Sequence, residues 1–164
     1  MSETAPPPEL MLTAEQVART QPTSLVFQRW AATVVDTFVF IALFVVLGVL
    51  FGGEGSWMLP VLAATVAAYY VVLEGRWGAT LGRLATRTRV VDRFGRPPGF
   101  GKAAIRTAFR LIEVNPLLMG GLPAGVAVGL SKTRQRLGDM AAGTYVLRTE
   151  DVRRVREGVD VSVF

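Results

Sequence analysis

Between Gln28 and Phe51 the chain reads QRWAATVVDTFVFIALFVVLGVLF, a run in which Arg29 and Asp36 are the charged residues. A helix rises about 1.5 Å per residue, so roughly 20 residues of this kind cross about 30 Å of hydrocarbon. Trp57 to Leu73 forms a second run of sufficient length. The expected spans are therefore residues 30–52 and 57–74. Apolar residues make up 51% of a chain of 164. One small soluble core cannot bury that much, and the excess must face lipid.

The opening MSETAPPPEL is acidic and proline-bearing and has no positive stretch ahead of the first span. Residues 1–23 therefore read as a disordered arm, and the first span as a retained helix instead of a cleaved signal. Cysteine and histidine are both absent. That excludes disulfides, thiolate nucleophiles, zinc clusters and imidazole bases, so the expectation is no enzyme, no cofactor and no metal. The net charge of +5 comes almost wholly from scattered arginines and points to no nucleic-acid partner.

Arginine placement sets the expected orientation, because short retained loops carry the basic excess. The connection GGEGS between the two spans has no basic residue, whereas Arg76 to Arg110 is densely basic. The basic segment and both termini are expected in the cytoplasm. A third hydrophobic region, residues 101–130, is interrupted by Asn115-Pro116, Gly120-Gly121 and Pro123. Such breaks favour a re-entrant pair over one straight span. Gly121, Gly125 and Gly129 recur every four residues, as do Ala63 and Ala67, which suits close helix packing and a homo-oligomer or a partner membrane protein. No inverted repeat is visible.

The stretch from Glu74 to Arg106 has aqueous chemistry instead. Thr80 is placed to cap a short interfacial helix whose Leu81 and Leu84 face the bilayer while Arg83 and Arg87 reach headgroups. TRVVD reads as a strand, RFGRP as a turn that needs Gly95, and GTYVLR as a second strand able to pair with the first. The expected fold is an α-helical membrane protein: a two-span hairpin, a broken third region and a small cytoplasmic β-element. Residues 149–164 read as a flexible or marginally helical tail.

Arg29 and Asp36 lie seven residues apart, nearly on one stripe of a helix and about 10 Å along its axis. A carboxylate at that depth costs on the order of 2.5–3.5 kcal/mol, so it should meet other helices, a cation or a proton. Taken with Asp139 in RQRLGDMAAGTYVLR and with GATLGRLATRTRVVDRFGRP, these residues resemble the RDD family of small bacterial membrane proteins, over residues 24–148. That family is named for an arginine opening the first helix, an aspartate within it and a later aspartate, matched here by Arg29, Asp36 and Asp139. Arg83 stands where the family usually has lysine, and Phe94 where a polar turn residue is common. The resemblance implies a multi-pass protein of the bacterial inner membrane, with a role in transport and, for some members, sodium–proton antiport.

The residues leave the roles open. Asp36 is either half of a buried ion pair, with Arg29 or an arginine of TRQR, or the exchanging group of a water-reachable crevice that carries a proton or a small cation. Asp139 is either a helix cap or a partner of Arg136, three residues before it, with Arg134 adding charge. Glu74 and Glu113 end hydrophobic runs beside basic residues, as interfacial ion pairs or as crevice lining. Glu113 with Asn115, next to a helix break, is the better ligand candidate of the two. Two function classes compete, a small ion transporter and a non-transporting anchor or assembly module. Interfacial arginines also suit anionic lipid headgroups.

Overall fold

A computed structural model describes residues 13–52, 57–113, 131 and 133–157, the side chains of 111–113 excepted. Asn115, Gly121, Gly125 and Gly129, with most of the third hydrophobic region, lie outside the described residues. The described chain is mostly helical.

Two long helices follow directly from the apolar runs. Helix α2 spans Ser24–Phe51 and α3 spans Met58–Trp77. In their most apolar stretches the protein buries only 6% and 17% of residues, far below what the core helix of a soluble domain would show. Both are long and apolar enough to cross a membrane. What α2 does bury is a single stripe in its first half, Leu25, Arg29, Ala32 and Asp36, spaced at helical intervals. What α3 buries is its last part, Tyr70, Glu74 and Gly75. Phe40 meets Tyr69 and Tyr70 edge-on, with ring centroids 5.1 and 5.5 Å apart, and Phe51 meets Trp57 at 5.6 Å.

The described parts of the two segments expected to be loose, residues 13–23 and 149–157, are built into a small core. Helix α1, Ala14–Thr20, starts at a capping box: the Gln16 N–H donates to Thr13 Oγ1, and the Thr13 N–H donates to Gln16 Oε1 at 2.8 Å. The end of the supposed disordered arm is thus helical, because Ala14, Val17 and Ala18 fall on one face and are buried. The tail also begins as a helix, α7, Thr149–Glu157. Its Val152 and Val155 share one core with α1, Val91 and Leu147, and its Asp151 accepts from buried Gln21 Nε2 at 2.7 Å. Neither segment has enough apolar residues to signal a helix alone, and each is stabilised by packing on the other.

Strand β1, Thr88–Val91, pairs antiparallel with β2, Tyr145–Arg148. Ahead of β1 lies the five-residue helix α4, Leu81–Ala85, and ahead of β2 the five-residue helix α6, Leu137–Ala141. After β1 comes the turn at Gly95, left-handed at φ 75°, with Asp92 Oδ1 accepting from the Phe94 and Arg96 N–H groups. Helix α5, Gly99–Glu113, is amphipathic; Ala103, Arg106 and Thr107 are on its buried side.

This arrangement contains an internal repeat. Leu81-Gly82-Arg83-Leu84-Ala85 corresponds to Leu137-Gly138-Asp139-Met140-Ala141, and Thr88-Arg89-Val90-Val91 to Thr144-Tyr145-Val146-Leu147. In the ribbon Val90 pairs with its own counterpart, Val146, so a local two-fold axis passes between the strands. Each short helix crosses the helix that opens its half: Gly82 lies on Ala32 of α2, and Gly138 on Arg106 and Phe109 of α5. The repeat is invisible to hydropathy because each copy has only a handful of matching residues.

Candidate functional site

Polar side chains gather where the start of α2, the end of α3, α5 and the two short helices meet. Leu81 and Leu84 of α4 and Leu137 and Met140 of α6 are exposed, about half of each, and form an apolar skirt around this layer. Arg83 corrects the expectation that it reaches outward to headgroups. It is 5% exposed and donates through Nε to Glu74 at 3.3 Å, because the helix that exposes the two leucines turns its third position inward.

Glu74, fully buried, is the anion of one half of the layer. Besides Arg83 it accepts from Arg106 Nε at 3.0 Å and from Arg110 Nη2 at 2.9 Å. Arg110 lies 3.6 Å over the Tyr70 ring, a cation–π contact that fixes its plane. Asp139 is the anion of the other half. It accepts from Arg29 Nη2 at 2.6 Å, from Arg106 Nη1, and from the backbone N–H of Arg136 at 3.1 Å. Arg106 therefore joins the two anions, and its Nη1 also donates to Thr144 at 2.7 Å.

Four guanidiniums share these two carboxylates. Nε of Arg29 and Nη1 of Arg83 and of Arg110 are buried with no partner among the described residues. Burial alone raises the Asp139 carboxyl, but Arg106, Arg29 and Arg136 outweigh it and hold it well below the usual carboxylate range. Burial likewise lowers Arg106, and Asp139 with Glu74 more than restores it, so it titrates above the usual guanidinium range.

A depressed folded carboxyl contributes stability that is complete above its unfolded value, near pH 4, and lost as pH falls through the folded one. The detergent-solubilised protein should therefore hold its melting temperature from pH 7 down to about pH 4 and lose it steeply below. An Asp139→Asn variant should start lower and slope less there. Parallel curves for the two proteins would contradict the assignment.

Asp36 stands apart. It is 3% exposed, and its partners are neutral donors: Tyr69 Oη at 2.9 Å, Thr80 Oγ1 at 2.7 Å and the Gly82 N–H at 2.8 Å. The expected pairing with Arg29 or a TRQR arginine does not form. Seven residues apart, Arg29 and Asp36 share a stripe, but one reaches α6 and the other the first turn of α4. Thr80 caps α4 by accepting from the Arg83 N–H, and its hydroxyl proton goes to Asp36. Tyr69 Oη in turn accepts from the Leu81 N–H at 3.0 Å. The carboxylate thus serves the otherwise unsatisfied donors at the start of that short helix.

The other sequence candidates are distributed more loosely. Arg134 has a left-handed backbone, φ 52°, and its carbonyl accepts from Arg29 Nη1 at 2.6 Å. Arg136 meets Asp139 through its backbone N–H, not through its side chain as the spacing suggests. Glu113 ends α5, and its side chain is not described. Ala63 and Ala67 lie in the first half of α3, Ala63 exposed and Ala67 half-buried. Among the described residues no cluster of three or more carboxylates, His or Cys suits a metal ion.

Arg106, Arg110, Tyr69 and Gly82 are the contributors that sequence reasoning passed over; Thr80 is the helix cap its sequence position suggests, and its second role as a donor to Asp36 is the part the sequence does not show. For Arg106 a signal existed: Arg106 and Glu113 repeat the seven-residue spacing of Arg29 and Asp36.

Residues 23–143 match the sequence model of the RDD family. No curated protein and no solved structure matches the chain.

Proposed function

The chain belongs to the RDD family, and from that premise we propose that it moves a small cation or a proton across the membrane, with Asp36 as the exchanging group. The observation that carries this is the environment of Asp36. It is a buried carboxylate within an apolar helix whose described partners include no guanidinium, whereas Glu74 and Asp139 are each held by several. A carboxylate pinned by arginines has no reason to change its charge. One held by a phenol, a hydroxyl and an amide can release or gain a cation without leaving a guanidinium stranded.

The hydroxyls of Tyr69 and Thr80 supply further oxygens at that point, the ligand type that sodium-sized ions take. On this reading α2 and α3 form a hairpin in the bacterial inner membrane, with the charged layer and both termini on the cytoplasmic side, and the protein works without a covalent or redox step. Two or three spans enclose no pathway, so copies of the chain, or a partner membrane protein, complete it.

Purified protein in proteoliposomes, with a pH-sensitive dye inside and a sodium gradient across the membrane, tests this. Wild type should move protons against sodium. Asp36→Asn should reduce the flux at least about tenfold while the protein still inserts and elutes as one species.

A second reading, a non-transporting assembly module, is favoured by one observation: Asp36 also docks α4 onto α2. If that is its whole role, wild type carries no flux under any ion gradient, and Asp36→Asn lowers the melting temperature instead.

A further inference from the structure

Outside the charged layer the structure has a cavity of about 660 Å³, set between the first turn of α2, the turn before β1 and the junction of β2 with α7. Its walls include Gln28, Arg87, Arg148, Arg153 and Arg154, with Glu150 as the lone acidic member. Four cationic side chains meet there; Arg153 and Arg154 each also approach a carboxylate behind the wall, Glu157 and Asp151, at 3.4 Å, and Arg87 has no acidic partner among the described residues, so the site keeps a net positive charge. Glu150 neutralises little of this, since it is 68% exposed and its nearest approach to Arg148 is 3.7 Å.

Two features indicate that the cavity is organised for a ligand. Arg148 is held in place, its Nη2 donating to Ser24 Oγ at 2.7 Å. Arg87 has φ 54°, a left-handed conformation that L-residues adopt at a cost, and its counterpart in the other half of the repeat is Gly143 at φ 59°. Where one half uses the residue suited to that geometry, the other keeps an arginine that lines the cavity.

The height of the cavity identifies the ligand class. Gln28 is two residues from Trp30, and Trp30 and Trp77 are 62% and 51% exposed at the ends of α2 and α3 that meet the charged layer. Exposed tryptophans at helix ends mark the headgroup level of a bilayer. We propose that this cavity is a phosphoryl-binding site, and that the phosphoryl group is presented by an anionic phospholipid of the surrounding leaflet. Guanidinium forks match phosphate oxygens in pairs, and each arginine close to an anionic surface strengthens binding.

The test uses the full chain in uncharged detergent, with melting followed by tryptophan fluorescence during titration with phosphatidylglycerol, phosphatidylcholine or pyrophosphate. Phosphatidylglycerol should stabilise the protein where phosphatidylcholine does not. Arg87→Gly, which the left-handed position accepts, should fold as well as wild type and bind about fivefold more weakly. Arg153→Gln with Arg154→Gln, on the exposed side of α7, should weaken binding further. A response to pyrophosphate alone, lost in the same variants, supports the phosphoryl site and assigns it to a soluble phosphate instead of a lipid. Equal responses to the two lipids with none to pyrophosphate, or variants that respond as wild type does, overturn the proposal.

Discussion

Glu74→Gln should destabilise the folded protein by on the order of 3–5 kcal/mol, although it changes one atom and leaves the volume of the side chain intact. Glu74 is 0% exposed and is the shared acceptor of Arg83, Arg106 and Arg110. Removing its charge leaves Arg106 with Asp139, but takes from Arg83 and Arg110 the one carboxylate each meets among the described residues. Three cations then stay close together in a layer that excludes water, where like charges repel strongly and cannot be resolvated.

Chemical or thermal unfolding in detergent, compared with Asp36→Asn, measures the effect. A second substitution separates charge from shape: Arg83→Gln placed on Glu74→Gln removes one stranded cation and should recover about 1–2 kcal/mol of the loss. A Glu74→Gln protein within about 0.5 kcal/mol of wild type, the range of an ordinary surface change, would mean that the network contributes nothing net.

The same network shows which parts of the molecule are legible from residues in order. The two long helices are, because an apolar run of that length permits few other structures. The need to bury Asp36 is also legible, since an exposed charge there would face hydrocarbon, whereas Arg29 and Asp139 stand out through the resemblance to the family. Their partners are not. Spacing along one helix suggests Arg29 with Asp36, yet Arg29 reaches Asp139, and Asp36 reaches Thr80 and Gly82.

The choice is made by α4, which Thr80 and its two leucines announce, and by α6, whose five residues carry no periodic signal; where either docks is not written in its own residues. They form because α2 and α5 offer surfaces for their glycines, a property of the assembled fold. The same holds at the chain ends, where Val17, Val152 and Val155 are unremarkable until β1 and β2 bring them together. The β-ribbon was easier, since alternating β-branched residues beside turn residues announce a strand locally.

Gly82→Ala is expected to prevent the fold from forming, or to cost on the order of 4 kcal/mol where it does form, and its counterpart Gly138→Ala should cost clearly less. A β-carbon at position 82 would lie 2.0 Å from the carbonyl oxygen of Ala32 and 3.0 Å from Cγ of Asp36. The first contact is with helix backbone, which no rotamer change can move aside. Helix α4 must back away from α2, and in doing so it loses the Gly82 N–H and the Thr80 hydroxyl as donors to Asp36.

The steric cost and the unsatisfied carboxylate then add, because the displacement that relieves the first creates the second. At position 138 the nearest neighbour is Cβ of Phe109 at 2.9 Å, which moves only with the α5 backbone, with the Arg106 carbonyl at 3.3 Å. Both contacts are longer than the one at position 82, so a smaller separation of α6 from α5 relieves them and Asp139 keeps its arginines. Expression as a monodisperse species and the melting temperature of each variant report the difference. Equal tolerance of alanine at the two positions would mean that α4 is not clamped on α2, and would remove the physical reason for a carboxylate at Asp36 in either reading of its function.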